Sequence, residues 1–270
     1  MISNGARPTR LSHKDYDFFK SHKFGSLGTP TIPDEYFADC GLTMPNQNQM
    51  DTEFTPPTPP MPFGCTDFAQ ADLRTDLIKE KVNPNDLEAV TKANARGGID
   101  IRESLDAAIT LGWFKQYFNI RAKGVFDFLE SFQLAQMTGL AAGEARAITW
   151  GTPWFATWEN AVLSGQKIMP MPSDSEFADL RNLPWHNSVL DGWTTLNGVQ
   201  VYRNKSLQGN QIGDKGFIYF PREVINRVMT ISGTVAYTAT NVGVDNPLPI
   251  DLGTIQFILS WMRNLLNKVV

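Results

Sequence analysis

Five prolines fall within seven residues, at positions 56, 57, 59, 60 and 62, and no other feature constrains the chain as strongly. Proline fixes φ and lacks the N–H that a helix or a sheet ladder needs, so residues 51–63 are expected to run as an extended loop. That loop ends at Gly64-Cys65, where a new element must begin. Residues 66–81 read as a helix. Phe68, Ala69, Leu73, Leu77 and Ile78 recur near three-to-four spacing, and Thr66 or Asp67 suits the first turn.

A second helix is expected over 101–111, capped by Asp100, with Ile101, Leu105 and Ala108 inward and Gly112 closing it. A third fits 125–137 and ends at Gly139. The texture then changes. Residues 145–150 read as a strand before a Gly-Thr-Pro turn, and 188–193, 198–203 and 216–220 are short, β-rich and separated by turn residues. Helices in front and strands behind imply an α+β fold with two segregated halves rather than alternating βαβ units.

The ends differ from this middle. Residues 1–30 are polar, with an aromatic patch at Tyr16-Asp17-Phe18-Phe19, and read as an arm on a domain surface or on a partner. Residues 228–240 read as an added strand or hairpin and 246–251 as a linker. Residues 253–270 read as an apolar helix with Ile255, Ile258, Leu259, Met262, Leu266 and Val269 on one face. Arg263 and Lys268 make that helix a poor membrane span. It is expected to dock on its own domain, to join an assembly, or to lie on a membrane surface.

A net charge of −4 argues against general nucleic-acid binding. The first residues carry no apolar run behind Arg7, so no secretory signal is expected. Cys40 and Cys65 are the two cysteines and are expected as reduced thiols, with a bridge between them as the alternative. His13, His22 and His186 show no metal-ligand spacing with either cysteine, so no metal or cofactor is expected.

Cys65 stands where a loop meets a helix. Unpaired N–H groups and a partial positive charge at such a point favour thiolate over thiol. Cys40 has no strong helix start behind it. A free cysteine is more often a small buried hydrophobe, so Cys65 needs partners before it reads as a nucleophile. His186 is the one histidine beyond the arm, and it precedes a strand-like run that could hold an imidazole. Asn204, at the end of the next strand, could orient that ring. Taken singly, His186 reads as structural and Asn204 as a turn residue. Together they follow Cys65 by 121 and 139 residues, near the 130–150 spacing of papain-type enzymes.

Five segments in order carry a resemblance to the papain-like cysteine proteases. Residues 32–47 resemble the start of a mature family member, "lP…DWR…g.vtpVkNQG". Gly64-Cys65-Thr-Asp-Phe-Ala69 resembles "GSCWAFA". Residues 98–112 resemble the glycine-led helix that follows. His186-Asn-Ser-Val-Leu-Asp-Gly-Trp193 is similar to "HAVLaVGY". Tyr202-Arg-Asn-Lys-Ser206 with Gly213-Asp-Lys-Gly-Phe-Ile-Tyr219 is similar to "iKNSWG…WGe.GYi".

The resemblance implies a two-lobed fold, helical in front and barrel-like behind, with a cleft between the lobes. It divides the chain into an arm at 1–30, a papain-like domain at 31–228 and a tail at 229–270. It also implies a thiol peptidase in which Cys65 attacks the carbonyl, His186 exchanges the proton and Asn204 orients His186. The implied partner is a protein or peptide substrate. The family's oxyanion glutamine lies six residues before the cysteine, where this chain has Pro59. Gln47 matches the local motif 18 residues ahead, which implies a 12-residue Pro-rich insertion within 48–63, with Gln49 as the alternative.

Two aromatic residues of the family pattern are missing. Thr66 follows the nucleophile, and no tryptophan follows Asn204; both changes are expected to open the site to water. The usual disulfides and long inhibitory pro-region are also absent from the pattern. The resemblance is closest to short phage and bacterial members. It therefore implies a cytoplasmic or virion-associated protein and a second reading, a structural or attachment component of a virion with weak or no catalysis. Assembly partners would then bind through 1–30 and 253–270.

Overall fold

The computed structural model describes residues 6–9, 32–42, 46–121, 127–141 and 143–241. Most of the expected arm and the whole of the 253–270 helix lie outside these residues. Among the described residues, no helix is long and apolar enough to cross a membrane.

The fold is α+β. Helices α1 (Cys65–Ile78), α2 (Pro84–Thr91) and α3 (Ile101–Thr110) make one lobe. Strands β4 (Gln116–Asn119), β5 (Ile148–Pro153), β6 (Trp185–Leu196), β7 (Val199–Lys205), β8 (Phe217–Pro221) and β9 (Val235–Thr240) form an antiparallel sheet in the order β4-β9-β5-β6-β7-β8. A short strand, β2 (Tyr36–Phe37), adds to β6. Helices α4 (Phe128–Ala141), α5 (Ala156–Leu163), α6 (Asp174–Ala178) and α7 (Arg222–Val228) complete the chain.

Each lobe has its own core. Phe68, Leu73, Leu87, Ile101 and Leu105 pack against Val189 and Tyr237 of the sheet. Trp150, Trp158, Trp193, Tyr202, Phe132 and Phe220 form the second core behind it. Burying side chains of this size contributes roughly 1.5–3 kcal/mol each, so each lobe has a substantial core of its own.

Asp100 caps α3 as expected, accepting from the N–H groups of Arg102 and Glu103. Three boundaries differ from expectation. Helix α4 runs past Gly139, where a Cβ would meet the Arg146 side chain at 2.5 Å, so this glycine serves close approach rather than termination. Gly151-Thr152-Pro153 continues β5 instead of turning. Val235–Thr240 is no appendage, because β9 sits between β4 and β5 inside the sheet.

The lobes are clamped by buried charge. Lys205 Nζ, on β7, lies 3.2 Å from Asp72 and 2.7 Å from Asp76 of α1, and 3.1 Å from Asp39. Burial alone would lower the lysine's pKa, but Asp72, Asp76, Asp191 and Asp39 hold it well above its ordinary value. Beside it, Arg203 pairs with the fully buried Asp191 at 2.6 Å and stacks its guanidinium 3.7 Å from the Phe37 ring. Removing one partner of such a buried pair typically costs about 3–5 kcal/mol. The clamp therefore fixes where α1, and with it Cys65, stands relative to the sheet.

Candidate active site

Cys65 is the first residue of α1 and is fully buried. The first N–H groups of a helix have no intrahelical acceptor, so they face whatever lies beyond the helix start. Met61 prepares that start by accepting from the Gly64 N–H at 2.9 Å. Neither cysteine is in a disulfide. Cys40 is half-buried with Sγ 3.7 Å from the Thr75 carbonyl, and burial pushes its pKa up.

The two ends of the Pro-rich loop are held together. Asp51 and Thr58 exchange backbone hydrogen bonds at 2.9 Å, and Met61 N–H donates to the Gln47 carbonyl at 2.7 Å. The loop's crest is fastened to the helical lobe: Asn83 and Asn85 side chains each donate at 3.1 Å, to the Pro56 and Pro57 carbonyls. Gln47 is consequently buried beside the start of α1 despite its 18-residue separation from Cys65, whereas Gln49 is exposed.

Gln47 also faces the other lobe. Its N–H donates to the Leu207 carbonyl at 3.4 Å, and the preceding carbonyl, that of Ser206, lies 3.3 Å from His186 Nε2. Leu207 has φ of 60°, a left-handed conformation that a branched residue rarely adopts. This turn sends successive carbonyls to different partners, one to the imidazole and one to Gln47. A continuous path of short contacts thus joins Cys65, Gly64, Met61, Gln47, Leu207, Ser206 and His186.

A carbonyl oxygen can only accept, so the Ser206 contact places a proton on His186 Nε2 and makes Nδ1 the basic nitrogen. The ring is fully buried and packs edge-on against Trp154, with centroids 5.2 Å apart at 76°. Trp154 is itself held by Nε1 donating to Glu159 at 3.0 Å. A tryptophan therefore does cover the histidine, arriving from the end of β5 rather than from the segment after Asn204.

Asn204 is buried close by but is engaged elsewhere. Its Oδ1 accepts from Trp150 Nε1 and from Ser188 Oγ, both at 2.8 Å. With both lone pairs occupied, that oxygen is not available to His186. Ser206 stands where the Asn204 side chain was expected.

Similar solved structures decide the fold. Xylellain, a cysteine protease from Xylella fastidiosa, superposes with a TM-score of 0.62 over 90% of this chain and 97% of its own, at 10% identity. The procathepsin B of Trypanosoma congolense gives 0.59 over 89% and 87% at 9% identity. Bromelain from Ananas comosus gives 0.51 over 78% and 100% at 15% identity. The fold is papain-like. No protein-family model matches the chain, and no curated protein does.

In a papain-like fold the groove lies between the lobes, and here a short strap crosses from one lobe to the other. Ala6–Arg7, β1, pairs in parallel with β3 (Ile99–Asp100) at the start of α3, and Arg7 Nη2 donates to the Arg96 carbonyl at 2.7 Å. Two residues later Thr9 N–H donates to the Gly233 carbonyl of the sheet lobe at 3.2 Å. Gly233 lies against both Pro8 and Trp185, the residue before His186.

Asp67, in the first turn of α1, is buried in the helical lobe and receives hydroxyl bonds from Thr91 at 2.5 Å and Ser104 at 2.9 Å. Burial pushes its pKa up to about 7 against the pull of those two donors. A carboxyl with its pKa raised this far carries less negative charge near a thiolate at the helix start than an ordinary aspartate would.

Proposed function

We propose that this chain is a thiol peptidase in which Cys65 is the nucleophile and His186 the acid–base. The main-chain carbonyl of Ser206 orients the ring, and Gln47 is the oxyanion donor. The observation that carries this reading is the path of contacts joining the α1 start, Gln47 and His186 through the turn at Leu207.

The Cys65 thiolate attacks the peptide carbonyl carbon while Gln47 and the Cys65 N–H receive the charge that develops on oxygen. The imidazolium proton passes from Nδ1 to the leaving amine as the C–N bond breaks, leaving an acyl thioester. Water, deprotonated by the same nitrogen, then releases the acid and returns the thiol. Asn204 supports the wall behind the ring through Trp150 and Ser188, and Trp154 keeps water from its edge. The strap at residues 6–9 limits access to the groove.

The test is to incubate the full chain and its Cys65→Ala variant with a mixed peptide library and read products by mass spectrometry. Cleavage by the parent that disappears in the variant is expected. Equal product formation by both would reject the reading. No cleavage by either would leave the attachment role as the better account of the fold.

A further inference from the structure

Gln208 follows the turn at Leu207, and its side chain has an unusual setting. It is buried, and its Nε2 makes no hydrogen bond among the described residues. Leaving a buried amide donor unmade is costly, so native structures rarely do so without a reason. Lack of a partner alone does not mark a site, since Gln136 on α4 shares it. What sets Gln208 apart is its neighbours.

Asn48 Nδ2 donates to Gln208 Oε1 at 2.5 Å, and Asn46 Nδ2 donates to the Gln208 carbonyl at 2.9 Å. These two asparagines flank Gln47, whose own N–H reaches the Leu207 carbonyl at 3.4 Å. Gln208 N–H turns back to Ser206 Oγ at 3.4 Å, within the residue whose carbonyl faces His186. With Oε1 pinned by Asn48, the Nε2 end of the amide is directed away from that bond. Gln47 and Gln208 are thus held in one bracket, between the nucleophile's helix and the imidazole.

We infer that Gln208 Nε2 is a second side-chain donor at this site and hydrogen-bonds a main-chain carbonyl of the bound peptide. The inference rests on the thiol-peptidase reading and adds a substrate contact to it. The carbonyl is either the one under attack or one on the leaving-group side, and the two are separable by substrate.

The test compares the full chain with Gln208→Met, which keeps the length of the side chain and removes the donor. Three reactions are timed: alkylation of Cys65 by iodoacetamide, hydrolysis of an acyl-peptide methyl ester, and hydrolysis of a peptide extended beyond the cut. Alkylation forms no oxyanion and binds no peptide, so it is expected to stay within about twofold. Loss of a donor to the attacked carbonyl is expected to lower kcat/KM by about 10²–10³ for both substrates. Loss of a donor on the leaving-group side is expected to slow only the extended peptide. Either pattern supports the inference. Unchanged hydrolysis of both substrates overturns it, as does a parallel fall in alkylation, which would mark Gln208 as structural. A parent chain that is neither alkylated nor able to hydrolyse either substrate overturns the peptidase reading and this inference with it.

Discussion

The two sides of the groove were assembled by different rules. On the Cys65 side the local sequence is the structure: a loop ends at Gly64, α1 starts at Cys65, and the Pro-rich loop returns Gln47 to the helix start. On the imidazole's side, groups of similar chemistry come from other positions. A main-chain carbonyl faces the ring where a side-chain amide was expected, and the covering tryptophan comes from β5. The difference teaches that a residue at a helix start is fixed by its own local sequence, whereas facing or covering a ring asks only for an acceptor or an apolar edge. Many positions can supply those.

The largest effect that would break this comparison is at the ring itself. His186→Ala is expected to lower kcat/KM for peptide hydrolysis on the order of 10⁴ or more, because nucleophile and base act as a unit. A loss under tenfold would place the base elsewhere.

Next in size is the nucleophile's helix. Asp67 binds its proton more tightly in the folded chain, at about 7, than at its ordinary 3.8. The stability it allows is full below about pH 4 and falls as pH rises towards 7, by on the order of 4 kcal/mol. Urea unfolding of Asp67→Asn across that range is expected to be flatter than the parent's. Equal slopes would show that Asp67 titrates normally.

Gln47→Ala is expected to reduce kcat by about 10²–10³, with Gln49→Ala within about twofold. The reverse order would mean that the insertion shifts the register of the loop. Asn204→Ala sharpens the contrast between the sides. Leaving Trp150 Nε1 and Ser188 Oγ without their acceptor is expected to cost about 1–3 kcal/mol in a denaturant melt. The same change is expected to lower kcat far less than His186→Ala does. A catalytic loss equal to that of His186→Ala, with stability intact, would return the orienting role to Asn204. The smallest effect is at the strap, where Arg7→Ala removes one hydrogen bond to the Arg96 carbonyl. Alkylation of Cys65 is expected to quicken by about twofold to tenfold, and no change would show that residues 6–9 do not limit access.

Much of the fold was legible because periodicity and punctuation report directly on local structure. Asp100 and Gly112 bracket α3, whereas the change from helical to β texture after Gly139 falls inside the sheet lobe, because β4 joins the sheet and Phe132 of α4 packs in its core. What was illegible depends on partners distant in sequence. Gly139 looks like a stop until Arg146 is seen against it, and β9 looks like an appendage until β4 and β5 are placed on either side. Gln47 stood out by its local motif, and its burial against Met61 follows from the Pro-rich loop. The Ser206 carbonyl was not, since every residue has one and only a left-handed Leu207 aims it. Trp154 gave a weak signal at most, one tryptophan among seven.

The most direct measurement is a competition inside one molecule. The full chain and its His186→Ala variant are treated with limiting iodoacetamide at about pH 6, and Cys65 and Cys40 are quantified by peptide mapping. Paired with an imidazole at a helix start, Cys65 should be alkylated at least about tenfold faster than Cys40 in the parent, and that advantage should vanish in the variant. Equal labelling of the two thiols in the parent, or a Cys65 advantage that survives the loss of His186, would contradict the account.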